Sequence, residues 1–351
     1  MTVTTRSSWW RCPWRVRVTK ATPLTGVGLV LADLDGVIYQ GQRPIDHAID
    51  SLVKARKHAD LGFITNNASR TPASVAEQIA GLGIPATAED VVTSPQAALR
   101  VLTRLIQPGS LVLVVGGEGL TSEVESAGFR ITRSADDAPD AVIQGFSPEV
   151  GWSDLAQASF ALQRRPEIPW VATNTDWSIP VEGGVAPGNG ALVSAVHLAV
   201  GRLATFAGKP EKEIFDVALE RFGPVGDALM IGDRLDTDIL GANRAGIRSA
   251  LVLTGIDTPK TLLASDESQR PTYVLEDLRE LHKPYPEIIR SEDADGVLTV
   301  EVGRAVVRRK GHVIRVARAG RKIDLIRAGA TIIHDSGLKI FGLDVDPQIY
   351  S

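Results

Sequence analysis

Two aspartates follow an apolar run near the start of the chain. The run "GLVLADLDG" is typical of a buried β-strand that ends at Asp33, with Asp35 in the turn before Gly36. A carboxylate is costly in a protein core, but ligands bind at the carboxyl edge of open α/β sheets. Two close carboxylates repel each other, and a shared proton or a bound cation usually relieves the repulsion. A solvated acidic turn has the same pattern, so further residues have to decide between the two interpretations.

A second acidic cluster repeats this arrangement later in the chain. In "ALMIGDRLDTDI" an apolar strand leads to Asp233, and Asp238 follows five residues later. Asp33, Asp35 and Asp233 together could supply oxygen ligands to Mg²⁺, which binds a few carboxylates alongside water and substrate phosphate. Two such strand ends in one sheet are hard to explain by chance, so the pattern favours a metal-dependent site over two solvated turns.

Two further segments carry groups suited to phosphate. In "GFITNNAS" a third strand ends in Thr65 and Asn66, whose hydroxyl and amide groups can donate hydrogen bonds to phosphate oxygens. In "FAGKPEKEIF" Lys209 precedes a helix that begins with proline, and lysine is a common point charge for phosphate. Taken singly, the first pair could be a structural cap and the lysine an ordinary surface residue.

The order and spacing of these four pieces resemble a known family. D-x-D-G near the start, T-N-N about thirty residues later, a distant G-K-P and then G-D-R-L-D-T-D are similar to the motifs of the haloacid dehalogenase superfamily of aspartate-nucleophile phosphatases. The resemblance extends over residues 27–283 and is narrower for subfamily IIA, the nitrophenylphosphatase-like branch. In that branch a large α/β cap is inserted between the second and third motifs.

The resemblance implies a role for each group. Asp33 would attack phosphorus and form an aspartyl-phosphate, and Asp35 would protonate the leaving alcohol and then deprotonate the attacking water. The Mg²⁺ ligands would be Asp33, the backbone carbonyl of Asp35, and Asp233, with Asp238 in a supporting role. The phosphoryl oxygens would be held by three residues: Thr65, Asn66 and Lys209.

The expected substrate is a small phosphorylated metabolite. Subfamily IIA followed by a C-terminal extension most resembles bacterial glycerol-3-phosphate phosphatases, so glycerol 3-phosphate is the expected compound. Phosphoglycolate, pyridoxal phosphate, and sugar or nucleotide monophosphates remain alternatives, because the motifs specify phosphate and say little about the leaving group. A phosphotransferase or mutase is a nearer rival than a non-catalytic regulatory protein, which would be expected to lack Asp35 or Lys209.

Strand and helix patterns alternate regularly along the part of the chain that positions these residues. Apolar runs alternate with helical patterns over residues 27–282, which predicts an α/β fold with a Rossmann-like parallel sheet. Thr71 and Pro72 mark the start of one helix. Four runs are expected to be strands: residues 28–33, 61–65, 228–232 and 249–253. The expected organisation has four parts: a disordered tail at 1–26, a catalytic core at 27–94 and 188–283, an inserted cap domain at 95–187, and a small α+β extension at 284–351.

Two segments of the expected cap could carry function. "ATNTDWSIP" resembles the cap loop that faces the catalytic edge in this subfamily, although an Asx-type turn gives the same pattern. Its candidates for selecting the leaving group are Asn174, Asp176, Trp177 and Ile179. "LVLVVGGEGLTS" places Gly117 and Gly119 between a strand and a helix, as in dinucleotide-binding proteins. Ser122 stands where that motif requires glycine or alanine, so a structural turn is the favoured interpretation.

Residues 284–351 have a different character. "VLTVEVGRAVVRRKGHVIRVARAG" predicts strands joined by a turn at its lysine–glycine pair, and "RKIDLIRAGATIIHD" predicts a helix. Between residues 303 and 327 there are nine Lys or Arg and one acid, Asp324. We expect a solvated basic face, with an anionic partner as the alternative. The segment is weakly similar to an acetyltransferase-like region that follows some bacterial phosphatases, but it is too short for acetyl transfer to be expected.

Composition limits the remaining possibilities. The 351-residue chain has a formal net charge of −4, so nucleic acid is not an expected partner. Its one cysteine, Cys12, favours a reducing compartment, and we expect a cytoplasmic protein. No apolar stretch of the sequence approaches the ~20 residues that span a bilayer.

The first 26 residues are arginine-rich and acid-poor, which a tail or an over-long start explains better than a transit peptide. Members of the family often dimerise through their caps, so a homodimer is expected.

Overall fold

Three larger β-sheets organise the protein, whose computed structural model describes residues 21–41, 43–181, 183–223 and 226–351. The first stretch of chain builds half of the core sheet. Its strands are β1 (Val27–Ala32), β2 (Tyr39–Gln40), β3 (Arg43–Pro44), β4 (Asp60–Thr65) and β5 (Val91–Thr93). Its helices are α1 (Ala48–Ala55), α2 (Pro72–Gly81) and α3 (Ser94–Leu102).

A second sheet is inserted between the two halves of the core. Its segment contains β6 (Leu111–Val115), β7 (Arg130–Thr132), β8 (Ala141–Gln144), β9 (Trp170–Ala172), β10 (Ser178–Val181), β11 (Gly184–Pro187) and β12 (Thr205–Phe206). The helices of this segment are α4 (Glu118–Ser126), α5 (Trp152–Arg164) and α6 (Asn189–Val200). We call residues 111–206 the inserted unit.

The chain then completes the core and ends in a third sheet. The returning core elements are α7 (Lys212–Phe222), β13 (Asp227–Gly232), α8 (Leu240–Ala245), β14 (Arg248–Val252), α9 (Pro259–Ala264) and β15 (Tyr273–Leu275). The C-terminal unit, residues 288–351, contains β16 (Ile288–Glu292), β17 (Leu298–Val302), β18 (Ala305–Lys310), β19 (Val313–Arg318), α10 (Lys322–His334) and β20 (Asp344–Val345).

The core sheet is parallel, in the order β15-β14-β13-β1-β4-β5. Ala32, the last residue of β1, pairs with Phe63 on one side and Ile231 on the other, so the three strands end side by side. The four strands predicted from the apolar runs are confirmed, each within a residue of its predicted limits. Thr71 caps α2 by accepting a hydrogen bond from the Ser74 N–H at 3.2 Å, as its sequence predicts.

The inserted sheet is also parallel, in the order β12-β9-β8-β6-β7. The sequence places the return to the core at residue 187, but α6 and β12 still belong to the inserted unit. The glycine-rich segment folds into the antiparallel β10–β11 hairpin rather than crossing back. Val193 and Val196 of α6 then pack with α5 residues in the buried cluster of this unit, and β12 pairs with β9.

The C-terminal unit is an α+β structure, as the sequence predicts. Its sheet has the order β16-β17-β18-β19-β20, and α10 packs on one face. Helix α10 also packs on the core, because its buried cluster includes Leu235 and Leu262 and Arg327 donates a hydrogen bond to the Val274 carbonyl. The expected solvated basic face is wrong for Arg327, which is buried between the two units.

Residues 21–26 of the expected disordered tail have a defined structure. Residues 21–26 form a turn into β1, and the Ala21 carbonyl accepts a hydrogen bond from the Tyr285 N–H at 3.0 Å. The expected tail at residues 1–20, including Cys12, lies outside the described residues. Over the ranges that the structure covers, no helix combines the length and apolar character needed to cross a membrane.

Candidate active site

Three neighbouring strands of the core sheet deliver the polar residues of the site. Asp33 follows β1, Thr65 ends β4 and Asp233 follows β13, so their side chains meet at one edge of the sheet. Gly36 and Gly255 lie so close to Asp233 that a Cβ on either would collide with its carboxylate. Gly36 also has a φ of +79°, a backbone conformation that residues other than glycine rarely adopt. Glycine at both positions therefore makes room for this acid.

Three carboxylates form a compact cluster at this edge. Oxygens of Asp33, Asp233 and Asp238 all lie within 4.8 Å of one another. Asp238 is fully buried and accepts a hydrogen bond from the Arg234 backbone N–H at 3.1 Å. Asp233 accepts one from the Ile256 N–H at 2.7 Å through a single oxygen, which leaves its other oxygen for a ligand.

Lys209 is the buried cation of the cluster. Its Nζ donates hydrogen bonds to Asp33 Oδ1 at 2.6 Å, to Asp238 Oδ1 at 2.7 Å and to the Ile64 carbonyl at 3.3 Å. The side chain is 4% exposed. The two aspartates raise the pKa of Lys209 against the effect of burial, so the amine stays protonated. One of the two Asp33 oxygens is thereby occupied, and the other is left to react.

The cluster contains three acids and one cation, and the pKa values of its acids are raised. Burial, with the charges of Asp238 and Asp33, raises the pKa of Asp233 to about 8. Burial also raises the pKa of Asp238 to about 6 against the opposing effect of Lys209. A bound divalent cation would remove this repulsion. The free Asp233 oxygen beside Asp33 and Asp238 fits Mg²⁺, a hard ion that prefers oxygen ligands.

Asp35 and Thr65 also line this cleft. Partial enclosure raises the pKa of Asp35, while Lys209 and Arg70 oppose the rise. A raised pKa suits a carboxyl group that must donate a proton near neutral pH. Thr65 Oγ accepts a hydrogen bond from the Asn67 N–H at 3.1 Å, so its own proton is available to donate.

Asn66 has a different role from the one expected of its side chain. Its Nδ2 donates to Asp176 Oδ1 at 3.1 Å and to the Lys209 carbonyl at 3.0 Å, while its Oδ1 accepts from the Lys209 N–H at 2.8 Å. These bonds occupy the amide, so its side chain is not free to bind phosphate. Asn66 instead holds Lys209 and Asp176 in position.

The predicted cap loop does reach the catalytic edge. Asn174 Nδ2 donates to the Asn66 carbonyl at 2.8 Å, which ties the inserted unit to the core. Asp176 and Ile179 line the cleft. Trp177 is 67% exposed and lies outside the lining of the cleft, so the structure does not bring it together with the other three candidates. Ile179 lies on β10 and is less exposed than its strand neighbours.

The cleft between the core and the inserted unit has a volume of about 230 Å³. Several lining residues are missing from the sequence-based set: Phe146, Ser178, Pro180, Arg234, Thr237 and Ile256. Arg234 and Thr237 stand inside the G-D-R-L-D-T-D motif, so their positions in the motif could have identified them. Nothing in the nearby sequence marks the other four, which are Phe146, Ser178, Pro180 and Ile256. They line the cleft because the inserted unit packs against the core.

The glycine-rich segment after β6 is structural. A Cβ at Gly119 would collide with the backbone of Arg70, because α4 packs directly on the loop that follows β4. Gly119 therefore permits a close approach between the inserted unit and the core. This agrees with the interpretation of the segment as a turn rather than a dinucleotide site.

Comparison with known proteins places the chain in a family. A model described as haloacid dehalogenase-like hydrolase matches residues 30–130, and a HAD-hydrolase-like model matches residues 206–281. The D-glycerol 3-phosphate phosphatase of Mycobacterium tuberculosis is 40% identical over 307 residues, which are 88% of this chain and 86% of that protein. The chain belongs to the haloacid dehalogenase-like hydrolases.

Solved structures of other haloacid dehalogenase-like hydrolases share this fold. A crystal structure of glycerol phosphate phosphatase from Mycobacterium tuberculosis in complex with magnesium has a TM-score of 0.81 and 37% identity, covering 90% of this chain and 93% of that one. The 4-nitrophenylphosphatase of Thermotoga maritima has a TM-score of 0.68 and 28% identity, covering 74% and 98%. The second match supports the nitrophenylphosphatase-like branch of the haloacid dehalogenase-like hydrolases.

Proposed function

We propose that this protein is a Mg²⁺-dependent phosphatase that hydrolyses glycerol 3-phosphate. The observation that carries the proposal is the Asp33 carboxylate, with one oxygen fixed by Lys209 and the other free, inside a cluster that includes Asp233. The 40% identity to a protein named D-glycerol 3-phosphate phosphatase supports the substrate. The cleft is also small enough to favour a short leaving group.

The chemistry begins with Asp33 as the nucleophile. Its free oxygen attacks phosphorus, the bond from phosphorus to the ester oxygen breaks, and Asp35 gives its proton to the departing alcohol. A divalent cation held by Asp33, Asp233 and the Asp35 carbonyl, with Asp238 in support, would neutralise charge on the phosphoryl group.

The second half of the reaction returns the enzyme to its starting state. Asp35, now ionised, takes a proton from water, and the water oxygen attacks the phosphorus of the aspartyl-phosphate. The bond between phosphorus and Asp33 breaks and inorganic phosphate leaves. Lys209, the Thr65 hydroxyl and the Asn66 backbone N–H are positioned to hold phosphoryl oxygens during both steps.

A substrate panel tests the proposal. Purified protein with Mg²⁺ is assayed for phosphate release from glycerol 3-phosphate, 2-phosphoglycolate, pyridoxal phosphate, glucose 6-phosphate, AMP and p-nitrophenyl phosphate, with the Asp33→Asn variant as control. Glycerol 3-phosphate should give the highest kcat/KM among the metabolites. A preference for another ester would overturn the substrate. Release no faster than the variant's from every compound would overturn the phosphatase.

A phosphotransferase is the second candidate for the same residues. It differs only in the acceptor of the second step, which would be an alcohol in place of water. Added ethanol or glycerol separates the two activities. A hydrolase releases inorganic phosphate in proportion to substrate consumed, whereas a transferase produces a new phosphate ester.

We also propose a homodimer formed through the inserted unit and a cytoplasmic location. Large apolar side chains stand exposed on that unit, with Trp152 and Leu198 each 81% and Leu203 72% exposed, and exposed apolar patches often mark protein interfaces. Analytical ultracentrifugation of the protein and its Leu198→Glu variant tests the dimer, which the substitution should weaken. The single cysteine of the sequence supports the location.

A further inference from the structure

The loop between β14 and α9 connects two of the strand ends that carry the acids of the site. The Thr254 hydroxyl donates a hydrogen bond to the Gly36 carbonyl at 2.8 Å, in the turn that follows β1. The Ile256 N–H donates to the Asp233 carboxylate, which follows β13, at 2.7 Å. The loop therefore contacts both strand ends, although its own side chains have no part in the proposed chemistry.

Asp257 ends this loop and makes two hydrogen bonds to the segment that carries Asp233. Its Oδ2 accepts from the Leu235 N–H at 2.6 Å, and its own N–H donates to the Asp233 carbonyl at 3.1 Å. These bonds hold the backbone on both sides of Arg234. Asp257 is half-buried and lies outside the lining of the cleft.

The Leu235 N–H needs an acceptor from another part of the chain. Leu235 begins a short helical turn, Leu235–Ile239, and the first N–H groups of a helix have no acceptor within it. Arg234 precedes the turn and makes no side-chain capping bond, because a guanidinium has donors only. Asp238 Oδ2 accepts the Arg234 N–H at 3.1 Å, and Asp257 accepts the next N–H.

The backbone of this turn determines where two acids of the cluster lie. Asp233 comes two residues before Leu235, and Asp238 lies inside the turn. A shift of the backbone here would therefore move both carboxylates. The groups that hold metal ligands in place strongly affect metal affinity, and a hydrogen bond from an N–H to a carboxylate is stronger than one between neutral groups.

The C-terminal unit supports the far side of the same loop. Thr258 follows Asp257 and caps α9 by accepting a hydrogen bond from the Thr261 N–H at 3.4 Å. Leu262 of α9 is fully buried in the cluster that includes residues of α10, and α10 packs on α9. Asp257 is thus anchored by an element that contacts both the core and the C-terminal unit.

We propose that Asp257 is a positioning residue for the divalent-cation site. Its carboxylate holds the Leu235 N–H and thereby keeps Asp233 and Asp238 in the arrangement that binds Mg²⁺. The inference rests on the metal-dependent phosphatase proposed above and adds a residue on which its metal affinity depends. Asp257 acts through the backbone of the two acids.

Two substitutions distinguish a hydrogen bond from a charge. Asp257→Ala removes the acceptor, and the Kd for Mg²⁺ measured by isothermal titration calorimetry should rise about ten-fold or more. Asp257→Asn keeps an oxygen that accepts the Leu235 N–H, so its Kd should stay within about three-fold of the parent's. With p-nitrophenyl phosphate, the Mg²⁺ concentration for half-maximal activity should shift in parallel, while kcat at saturating Mg²⁺ changes less.

Asp266 provides a matched control. Its Oδ1 accepts the Ser268 N–H at 2.9 Å at the start of another short helical turn, and it lies outside the lining of the cleft. Asp266→Ala removes the same kind of capping bond and should leave the Kd for Mg²⁺ within about two-fold of the parent's. Circular dichroism confirms that each variant is folded.

The outcomes separate this inference from the proposed function. A parent protein that binds Mg²⁺ but hydrolyses no ester would reject the function, and the Kd values would still test Asp257. An unchanged Kd in folded Asp257→Ala overturns the positioning role, as do equal increases in Asp257→Ala and Asp257→Asn, which a charge effect predicts. If Asp257→Ala does not fold, Asp257→Glu decides, because it keeps the charge and displaces the acceptor. A raised Kd in that variant supports the inference, and an unchanged one rejects it.

Discussion

Two cationic side chains are buried in the described part of the chain, and they belong to contrasting networks. Lys209 lies in the active-site cleft with Asp33 and Asp238. Arg327 of α10 lies where the C-terminal unit meets the core, between Glu280 and Asp324. Each is thus a buried cation flanked by two carboxylates. The difference between them shows how a reactive cluster departs from a purely structural one.

The Arg327 network is complete. Its guanidinium donates to Glu280 Oε2 at 2.6 Å, to Asp324 Oδ1 at 3.0 Å and, through Nε and Nη2, to the Val274 carbonyl at 2.9 and 2.7 Å. It also stacks on Tyr285, 4.6 Å from the ring centroid. Arg321 adds a second positive charge 3.1 Å from Glu280. Two acids are thus balanced by two cations, and the donors are used within the protein.

In the Lys209 network, by contrast, the acids outnumber the cations. Asp233 adds a third acid to Asp33 and Asp238, with a single lysine among them. Burial raises the pKa of all three acids, and repulsion from a neighbouring carboxylate adds to the rise at each of them. An uncompensated buried charge is costly, so it persists where a ligand completes the set. The imbalance, rather than the presence of buried ions, marks the functional site.

The largest expected difference between the networks concerns activity. Asp33→Asn should lower kcat for p-nitrophenyl phosphate by at least about 10³-fold, because the amide is a poor nucleophile. Asp324→Asn removes a buried carboxylate from the structural network and should leave kcat per folded molecule within two-fold. Steady-state kinetics with circular dichroism to confirm folding provides the measurement. Equal losses in both folded variants would contradict the distinction.

Stability should show the reverse order. Arg327→Met leaves Asp324 as a buried charge without an ion-pair partner and leaves Glu280 with the more exposed Arg321 alone, and we expect the free energy of unfolding to fall by about 3–5 kcal/mol. Urea unfolding followed by fluorescence measures it.

The corresponding variant in the active-site network is Lys209→Met, which should abolish activity. Its loss of stability should be smaller at pH 5.5 than at pH 8, because aspartates with raised pKa values can take up protons when the lysine is gone. If Arg327→Met instead matched the parent in stability, the interface network would be dispensable.

Metal and pH provide a third comparison. The raised pKa of Asp233, about 8, means that the folded protein without metal binds more protons than the unfolded chain between about pH 4 and pH 8. Its stability should therefore fall as pH rises through this range. Mg²⁺ present at one hundred times its Kd would add about 2.7 kcal/mol to the free energy of unfolding.

Thermal unfolding with Mg²⁺ or EDTA checks this prediction. The increase in Tm caused by Mg²⁺ should be larger at pH 8 than at pH 5.5, where protons compete with the ion. Asp233→Asn should remove most of the increase. A Mg²⁺ effect of the same size at both pH values would count against cation binding by the acidic cluster.

The smallest expected effect belongs to His334 in the C-terminal unit. Burial, with Arg270 nearby, lowers its pKa to about 4, and its Nε2 lies 3.2 Å from Ser265 Oγ. The folded state disfavours the proton, so stability should fall by about 1–2 kcal/mol as pH drops from 6.5 towards 4. Urea unfolding at several pH values should show this loss reduced in His334→Gln. The exposed His58 serves as control, and His58→Gln should keep the parent's pH dependence.

The sequence identifies the acids of the site for a physical reason. Strand ends in a parallel sheet are specified locally, by an apolar run followed by a polar residue, so Asp33, Thr65 and Asp233 can be placed without coordinates. Lys209 needed the family motif, because nothing local distinguishes it from a surface lysine.

The sequence could not identify roles that depend on contacts between distant segments. The Asn66 amide bonds to Asp176, 110 residues away, and Arg327 is buried only because α10 packs between two units. A run of basic residues is typical of an exposed face, and nothing in the run marks the member that is covered. The sequence also assigns α6 and β12 to the core, because the elements they pack against, α5 and β9, lie earlier in the chain.

The close packing of Gly36 and Gly255 on Asp233 has a practical consequence for engineering. A mutagenesis library aimed at new esters has tolerant positions on the β10–β11 hairpin and intolerant ones at these two glycines, where even one methyl group would displace a reactive acid. Diversity is best concentrated on the β10–β11 hairpin, with Gly36 and Gly255 retained.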